Sequence, residues 1–407
     1  MVNKTRELLL GLHEKNQLMV EQLHAFCSIN SGTENLPGLA KMRQTLEAAF
    51  LPLADSIETI PFPETTALNI EGFAQRQSYG DGLWIRKRPE LKRRVLLCGH
   101  MDTVYGANHP FHAVTMLSDN KLNGPGVADM KGGLIVLLHA LICFEASSLS
   151  PLLGWDVFIN TDEEVGSPAS RFFYEQIAGD YQAALVYEPA MNEQGTLAKN
   201  RKGSGKFTLI AEGKSAHAGR AFFEGKNAIC HLAEAITAIH ALNDLDNGIT
   251  LNVGKIAGGD ALNRVPDKAV AQIDVRISKP EDALWVTEQF NRIREEGKRE
   301  GCTLAIEGYF GRPVKTVSNG TARLFQRVKQ VGEVLGLAID WQDSGGCCDG
   351  NNLAALGLPV IDTLGVRGGN IHTEAEYILL DSLVERSALS ALLLMDLAGS
   401  GLEDLNQ

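Results

Sequence analysis

The chain reads as an α/β protein. A larger, discontinuous domain with a mainly parallel sheet flanked by helices is interrupted by an inserted ferredoxin-like α+β domain. Three observations predict this. Short apolar runs that stop at glycine or a polar residue alternate with helical patterns near both ends of the chain, as buried parallel strands and their crossover helices do. The middle instead reads β-α-β-β-α-β, the split unit of ferredoxin-like domains. The length, 407 residues, also exceeds the roughly 150 of a typical domain.

The elements follow in order. Residues 4–27 and 39–50 carry apolar side chains at helical spacing. The run 94–98 (RVLLC) stops at Gly99, as a buried parallel strand would. After the turn-rich Asn123-Gly124-Pro125-Gly126, a long apolar helix is expected from Asp129 to about Ala146. A second buried strand is expected at 156–160, a helix opened by Ser167-Pro168, and a third strand at 183–187. In the middle, strands at 206–212, 250–256, 269–277 and 303–310 enclose helices at 226–242 and 280–299. Lys202-Gly203 and Gly311-Arg312-Pro313 are the expected crossing points, so 1–202 and 313–407 form one domain and 203–312 the other. From Asn319 the α/β alternation resumes: helix to Leu335, strand 337–341, helix 350–356, strand 358–362 and a final helix 381–398.

Composition narrows the function. With 44% hydrophobic and 22% charged residues the chain buries a sizeable core, which excludes disorder as its main state. A net charge of −12 argues against a nucleic-acid coat or a polybasic membrane anchor, so neither nucleic acid nor membrane is an expected partner. The longest apolar stretch, 134–144, is too short to cross a bilayer and is broken by His139. The N-terminus has a short apolar patch and no small-residue cleavage site, so no signal peptide is expected. Seven scattered cysteines, odd in number and without C-x-x-C, fit a reducing cytoplasm and exclude thiolate zinc spacing.

Five segments combine metal-type ligands with turn residues: Gly99-His100-Met101-Asp102, Gly126 to Gly133, Thr161 to Gly166, Tyr187-Glu188-Pro189 and Ile371 to Glu376. Four of them sit where an expected strand ends or a helix begins, the edge at which open α/β sheets build ligand sites. Each is weak alone; their coincidence at one sheet edge carries the argument. Two histidines and several carboxylates without thiolates suit Zn²⁺ or another first-row divalent ion. The carboxylates are too many for one tetrahedral ion but right for two ions sharing a bridging carboxylate. One carboxylate must stay off the metals to take a proton from water, and the Asp162-Glu163-Glu164 run offers both a ligand and a base.

With those residues in place, the chain resembles the co-catalytic di-zinc peptidase and deacylase family of glutamate carboxypeptidases, dipeptidases, acetylornithine deacetylase, succinyl-diaminopimelate desuccinylase and aminoacylases. It lies nearest the glutamate carboxypeptidase branch. The resemblance covers the whole chain. The H-x-D motif is His100-Met101-Asp102, and the bridging Asp of G-x-x-D-x-K-G-G is Asp129. The E-E pair is Glu163-Glu164, the E-P ligand is Glu188 and the last ligand is His372. The resemblance implies two Zn²⁺, with Co²⁺ or Mn²⁺ as substitutes: His100, Asp129 and Glu188 on one, Asp129, Glu164 and His372 on the other. It implies that Asp102 orients His100, that Glu163 is general base and then proton donor, and that the Asp129–Met130 peptide is cis. The inserted domain 203–312 would be a lid and dimerisation domain. Its Ser215-Ala216-His217-Ala218-Gly219 matches the family element whose His stabilises an oxyanion, reaching the partner subunit's site in related dimers. Asn263, Arg276 and Arg312 match substrate-contacting positions, with a guanidinium suited to an α-carboxylate. Cys347 and Cys348 depart from the family's small or hydroxyl residues in the loop Ser344 to Gly350.

The expected activity is hydrolysis of an amide bond that releases an amino acid with a free carboxylate, from a small N-acyl or peptide substrate, by a homodimer joined through the lids. An N-acyl-amino-acid deacylase of the acetylornithine type is the alternative. A non-catalytic binding relative is a third reading, against which every motif is intact. Competing motifs fail: Asp129 stands where a dinucleotide fingerprint needs its third glycine, no Gly-x-Ser-x-Gly elbow exists, and Lys131-Gly132 lacks the hydroxyl partner of a Walker loop. A cysteine nucleophile at Cys347 or Cys348 remains a minor reading.

Overall fold

A computed structural model describes residues 2–406. Its central sheet runs, in spatial order, Ser56–Ile60, Gly82–Lys87, Gly154–Asn160, Arg94–His100, Ala183–Val186 and Val360–Ile361. The last four strands are parallel; the first two add antiparallel to one edge. Alternation sends successive side chains to opposite faces. Val95, Leu97, Val157 and Ile159 enter the main core, where Gly133–Glu145 and Asp381–Ser400 pack against each other. Leu96, Cys98, Phe158 and Val186 enter a second layer with Tyr174, Ile177 and Leu353 from Arg171–Ile177 and Asp349–Ala355. Both faces are covered, which is why these strands read as unbroken apolar runs. The stretch Val127–Glu145 is apolar and long enough to span a bilayer, yet it lies buried in this core.

Residues 203–312 fold into four antiparallel strands in the order Thr250–Gly258, Lys268–Ile277, Gly203–Glu212, Thr303–Arg312. Two helices, Ala228–His240 and Asp282–Glu296, contribute to a separate apolar cluster with this sheet. The Asn227 side chain accepts from Cys230 N at 3.1 Å and starts the first helix. The two crossings back to the central sheet are tied together. Arg201 and Lys315 exchange backbone hydrogen bonds of 3.0 Å. Asp362, fully buried, accepts from Arg201 at 2.9 and 3.0 Å and from Lys315 Nζ at 2.7 Å. Asp362→Asn leaves two buried cations short of their counter-charge. It is expected to cost about 3–5 kcal/mol, read as a lower denaturation midpoint at unchanged slope.

Several expectations are corrected. The first helix is two, Val2–Glu14 and Asn16–Cys27. The helix expected from Asp129 becomes regular at Gly133–Glu145. Asp129 (φ −114°, ψ 94°) and Met130 (φ −131°, ψ 36°) are non-helical, and the peptide between them is cis, as the resemblance implies. The Glu376 carboxylate holds this turn by accepting from the N–H groups of Gly126, Ala128 and Asp129 at 3.1, 2.8 and 3.0 Å. The helix expected at Ser167-Pro168 begins at Arg171, because Asp162 accepts from Ala169 N and Ser170 N and holds the chain in a turn. The strand expected at 337–341 is Trp341–Ser344, paired parallel with Leu197–Arg201 outside the central sheet. Residues 335–337 instead close the helix Asn319–Val334, with Gly336 at φ +74° and Leu337 N bonded to Gly332 O. The polar hairpin Thr65–Leu68/Ala74–Gln77 and the small sheet formed by Thr115–Ser118, Lys121–Asn123, Tyr377–Leu379 and Gly368–Gly369 carry no strong apolar pattern and were not anticipated.

Candidate active site

His100 ends the strand Arg94–His100, and Glu163 and Glu164 open the short turn Glu163–Val165 shortly after its neighbour Gly154–Asn160. Glu188 follows Ala183–Val186, the strand on the other side. Parallel strands put these loops at one edge. Asp129 reaches it from the turn held by Glu376. Lys131, two residues on, is buried and donates to Phe26 O at 3.2 Å and Ile29 O at 2.7 Å, pinning that turn to the end of Asn16–Cys27. His372 arrives on a loop at φ +63°, a backbone region rare for non-glycine residues.

Asp129 is central. Its Oδ1 lies 3.1 Å from His100 Nε2 and its Oδ2 lies 3.2 Å from His372 Nε2. Glu188 Oε1 is 3.9 Å from His100 Nε2, and Glu164 Oε2 is 3.2 Å from His372 Nε2. Potential ligand atoms of His100, Glu163 and Glu188 lie within 4.8 Å of one another, as do those of His100, Asp129 and Glu164. The second ring nitrogen of His100 faces Asp102, 3.0 Å from its carbonyl and 3.3 Å from Oδ1. Thr33 Oγ1 and the Glu164 N–H donate to Asp102 Oδ2 and fix it in turn.

The electrostatics fit a cation site. Burial pushes Glu163 up to about 7 and, with Asp129 adding to it, Glu164 up to about 8; the same causes raise Glu188 well above the carboxylate range. Against burial, hydrogen bonds from the two histidines hold Asp129 below it. Hydrogen bonds to Asp129 and Glu164 push His372 up to about 11. Four carboxylates, Asp129, Glu163, Glu164 and Glu188, share this space with the two histidines, and Arg312 pairs with Glu163. Glu164 Oε1 is buried with no hydrogen-bond partner. Unpaired buried acceptors and surplus negative charge, on nitrogen and oxygen donors alone, suit one or two borderline divalent ions.

Asp129, Glu163, Glu164, Glu188 and His372 line a cleft of about 510 Å³. Its other wall comes from the inserted module and includes Lys206, Arg276 and Arg312. Arg276 donates to Asp274 at 2.7 Å and to Cys347 Sγ at 3.2 Å. Arg312, expected on a substrate carboxylate, lines the cleft with both terminal nitrogens engaged inside the protein. Nη2 pairs with Glu163 Oε1 at 2.7 Å and Nη1 with Asp349 Oδ1. His217 and Asn263 do not line the cleft of their own chain. They sit on the exposed ribbon of Ala216–His217 and Arg264–Val265, where Ala218 N bonds Asn263 O at 2.9 Å. Phe223, 94% exposed, and Leu262 lie in neighbouring turns.

Three contributors escaped the sequence reading. Asp349 and Glu376 stood inside quoted motifs without a role, and Lys206 without a motif at all. The two cysteines are separated by structure: Cys348 accepts from Gly350 N and starts Asp349–Ala355, while Cys347 faces the cleft. Burial raises both thiols, which argues against a thiolate nucleophile.

A family model for peptidase family M20/M25/M40 matches residues 96–396. The chain is similar to carboxypeptidase G2 from a Pseudomonas species, 27% identical over 393 residues, covering 95% of this chain and 91% of that one. It is 32% identical over 201 residues to acetylornithine deacetylase of Erwinia tasmaniensis, covering 45% of this chain and 50% of that protein. The fold matches that of the di-peptidase Dug1p from Saccharomyces cerevisiae with a TM-score of 0.75 at 13% identity, over 98% of this chain and 99% of that one. With the family model spanning most of the chain, this protein belongs to peptidase family M20/M25/M40, and it is a hydrolytic metalloenzyme.

Proposed function

We propose that the protein is a two-zinc carboxypeptidase-like amidohydrolase, releasing an amino acid with a free carboxylate from a small N-acyl or peptide substrate. The observation that carries this is the Asp129 carboxylate divided between His100 and His372, with Glu163 beside it and a cationic wall opposite. His100, Asp129 and Glu188 would hold one ion and Asp129, Glu164 and His372 the other. Bound metal supplies Lewis-acid polarisation of the scissile carbonyl and a lowered pKa for water. Glu163 takes the proton from water and returns it to the departing amine. Asp102 fixes the His100 ring, and the cleft walls exclude bulk water. Arg276 and Lys206, on the cleft wall facing the site, are placed to meet a substrate carboxylate, and Arg312, held by Glu163 and Asp349, lines the same wall. The seven unpaired cysteines fit a cytoplasmic setting.

A hydrolysis screen of N-acyl amino acids and dipeptides, with acidic C-terminal residues included, tests this reading. Release of a carboxylate-bearing amino acid is expected, with little turnover of the matching C-terminal amides. Turnover confined to N-acetyl amino acids would favour the deacylase, the reading that likeness to an acetylornithine deacetylase supports.

The exposed position of His217 and Asn263 supports a second part of the proposal: a homodimer in which His217 completes the partner's site and stabilises the oxyanion there. His217→Ala and Glu163→Gln subunits, each nearly inactive alone, are mixed. In a mixed dimer both lesions fall on one site and the other is whole, so random exchange should restore about a quarter of wild-type activity. No recovery after verified subunit exchange would reject the arrangement.

A further inference from the structure

Glu163 must be aimed as well as placed, and its neighbours indicate how. Its Oε1 accepts from Arg312 Nη2 at 2.7 Å. The other end of that guanidinium donates to Asp349 Oδ1, and all three side chains are buried or nearly so. Asp349 is itself held from several directions. Ser167 Oγ donates to Oδ1 at 2.6 Å; Asn160 Nδ2 and Tyr174 OH donate to Oδ2 at 2.6 and 2.9 Å. These donors belong to a central strand end, the turn after it and the helix Arg171–Ile177, and Asp349 opens Asp349–Ala355. The anchor is therefore part of the rigid sheet-and-helix frame, whereas Arg312 ends the last strand of the inserted module.

We infer that Asp349 is a positioning residue for Glu163, acting through Arg312. The planar guanidinium, fixed at Nη1, presents Nη2 in one direction. That pins Oε1 and leaves Oε2 as the oxygen that takes and returns the proton. The base is thus aimed by a residue of the module whose strand also lines the cleft, while the frame beneath sets its angle. A purely structural role, in which Asp349 only neutralises a buried arginine, would lower stability and leave turnover by folded enzyme unchanged. The inference rests on the reading of Glu163 as the general base.

The test is Asp349→Asn, which keeps size but loses charge and one acceptor. The folded, metal-loaded variant is expected to lose roughly ten- to a hundredfold in kcat, the scale of a misaligned catalytic group. KM should stay within about threefold, since ground-state binding is untouched, and metal content should equal wild type. Arg312→Lys carries a point charge that cannot bridge two carboxylates. Combined with Asp349→Asn it should fall no further than the worse single variant, because both changes break one chain. If Asp349→Asn does not fold, Tyr174→Phe removes one donor to Oδ2 without altering charge. It should lower kcat by a few fold at constant KM. Wild-type kcat in the folded variants, a loss confined to KM, or additive losses in the double variant would overturn the inference. A wild-type protein without amide hydrolysis would remove the functional reading and this inference together. An active wild type indifferent to Asp349 removes only the inference.

Discussion

Glu163→Gln is expected to keep both metals and to lower kcat by roughly 10²–10⁴-fold, the contribution of a general acid–base group. The side chains are nearly isosteric, and the amide oxygen still accepts from Arg312, so the contact at Nη2 is retained. The amide nitrogen cannot accept a proton from water. The loss should therefore appear in kcat, with KM little changed. Metal analysis and steady-state kinetics on the same preparation measure both halves. Near-normal kcat, or loss of a metal together with activity, would show that Glu163 is not the base. The second outcome would make it a ligand, a role its proximity to His100 and Glu188 permits.

Chelation should remove activity completely, and Zn²⁺, Co²⁺ or Mn²⁺ should restore it at about two ions per chain. The fold should survive, because the main apolar cluster is built largely by the helices and the sheet. Far-ultraviolet dichroism should hold steady while the melting temperature falls, because the four site carboxylates lose their counter-charge. Restored metal at a hundred times its dissociation constant stabilises by about 2.7 kcal/mol per site, since binding favours the native state alone. Activity that persists after measured loss of both metals would exclude the metalloenzyme mechanism.

Much of the site was legible because its ligands lie next to elements with strong local signals. His100, Glu188 and the Glu163-Glu164 pair each follow a buried apolar strand, and parallel strands bring their ends to one edge. The split β-α-β-β-α-β order was readable for the same reason, from four strand runs and two helical runs met in that order. The polar hairpins were not, because their strands are exposed and bury too few side chains to leave a pattern.

The sequence by itself determined the residue types at each site position, the alternation of strands and helices, and the interruption by a second kind of unit. These follow from local spacing and from chemistry that needs particular side chains. Only the tertiary structure decided which groups meet. Asp349 and Glu163 are far apart along the chain, and nothing in either segment states that Arg312 joins them; the pairing exists because a strand of the module ends beside two loops of the central sheet. The same holds for Glu376, which gathers the N–H groups of a turn some 250 residues earlier. Tertiary structure also gave Arg312 internal partners that no local pattern shows. Burial makes an unpaired guanidinium costly, and two nearby carboxylates offset that cost.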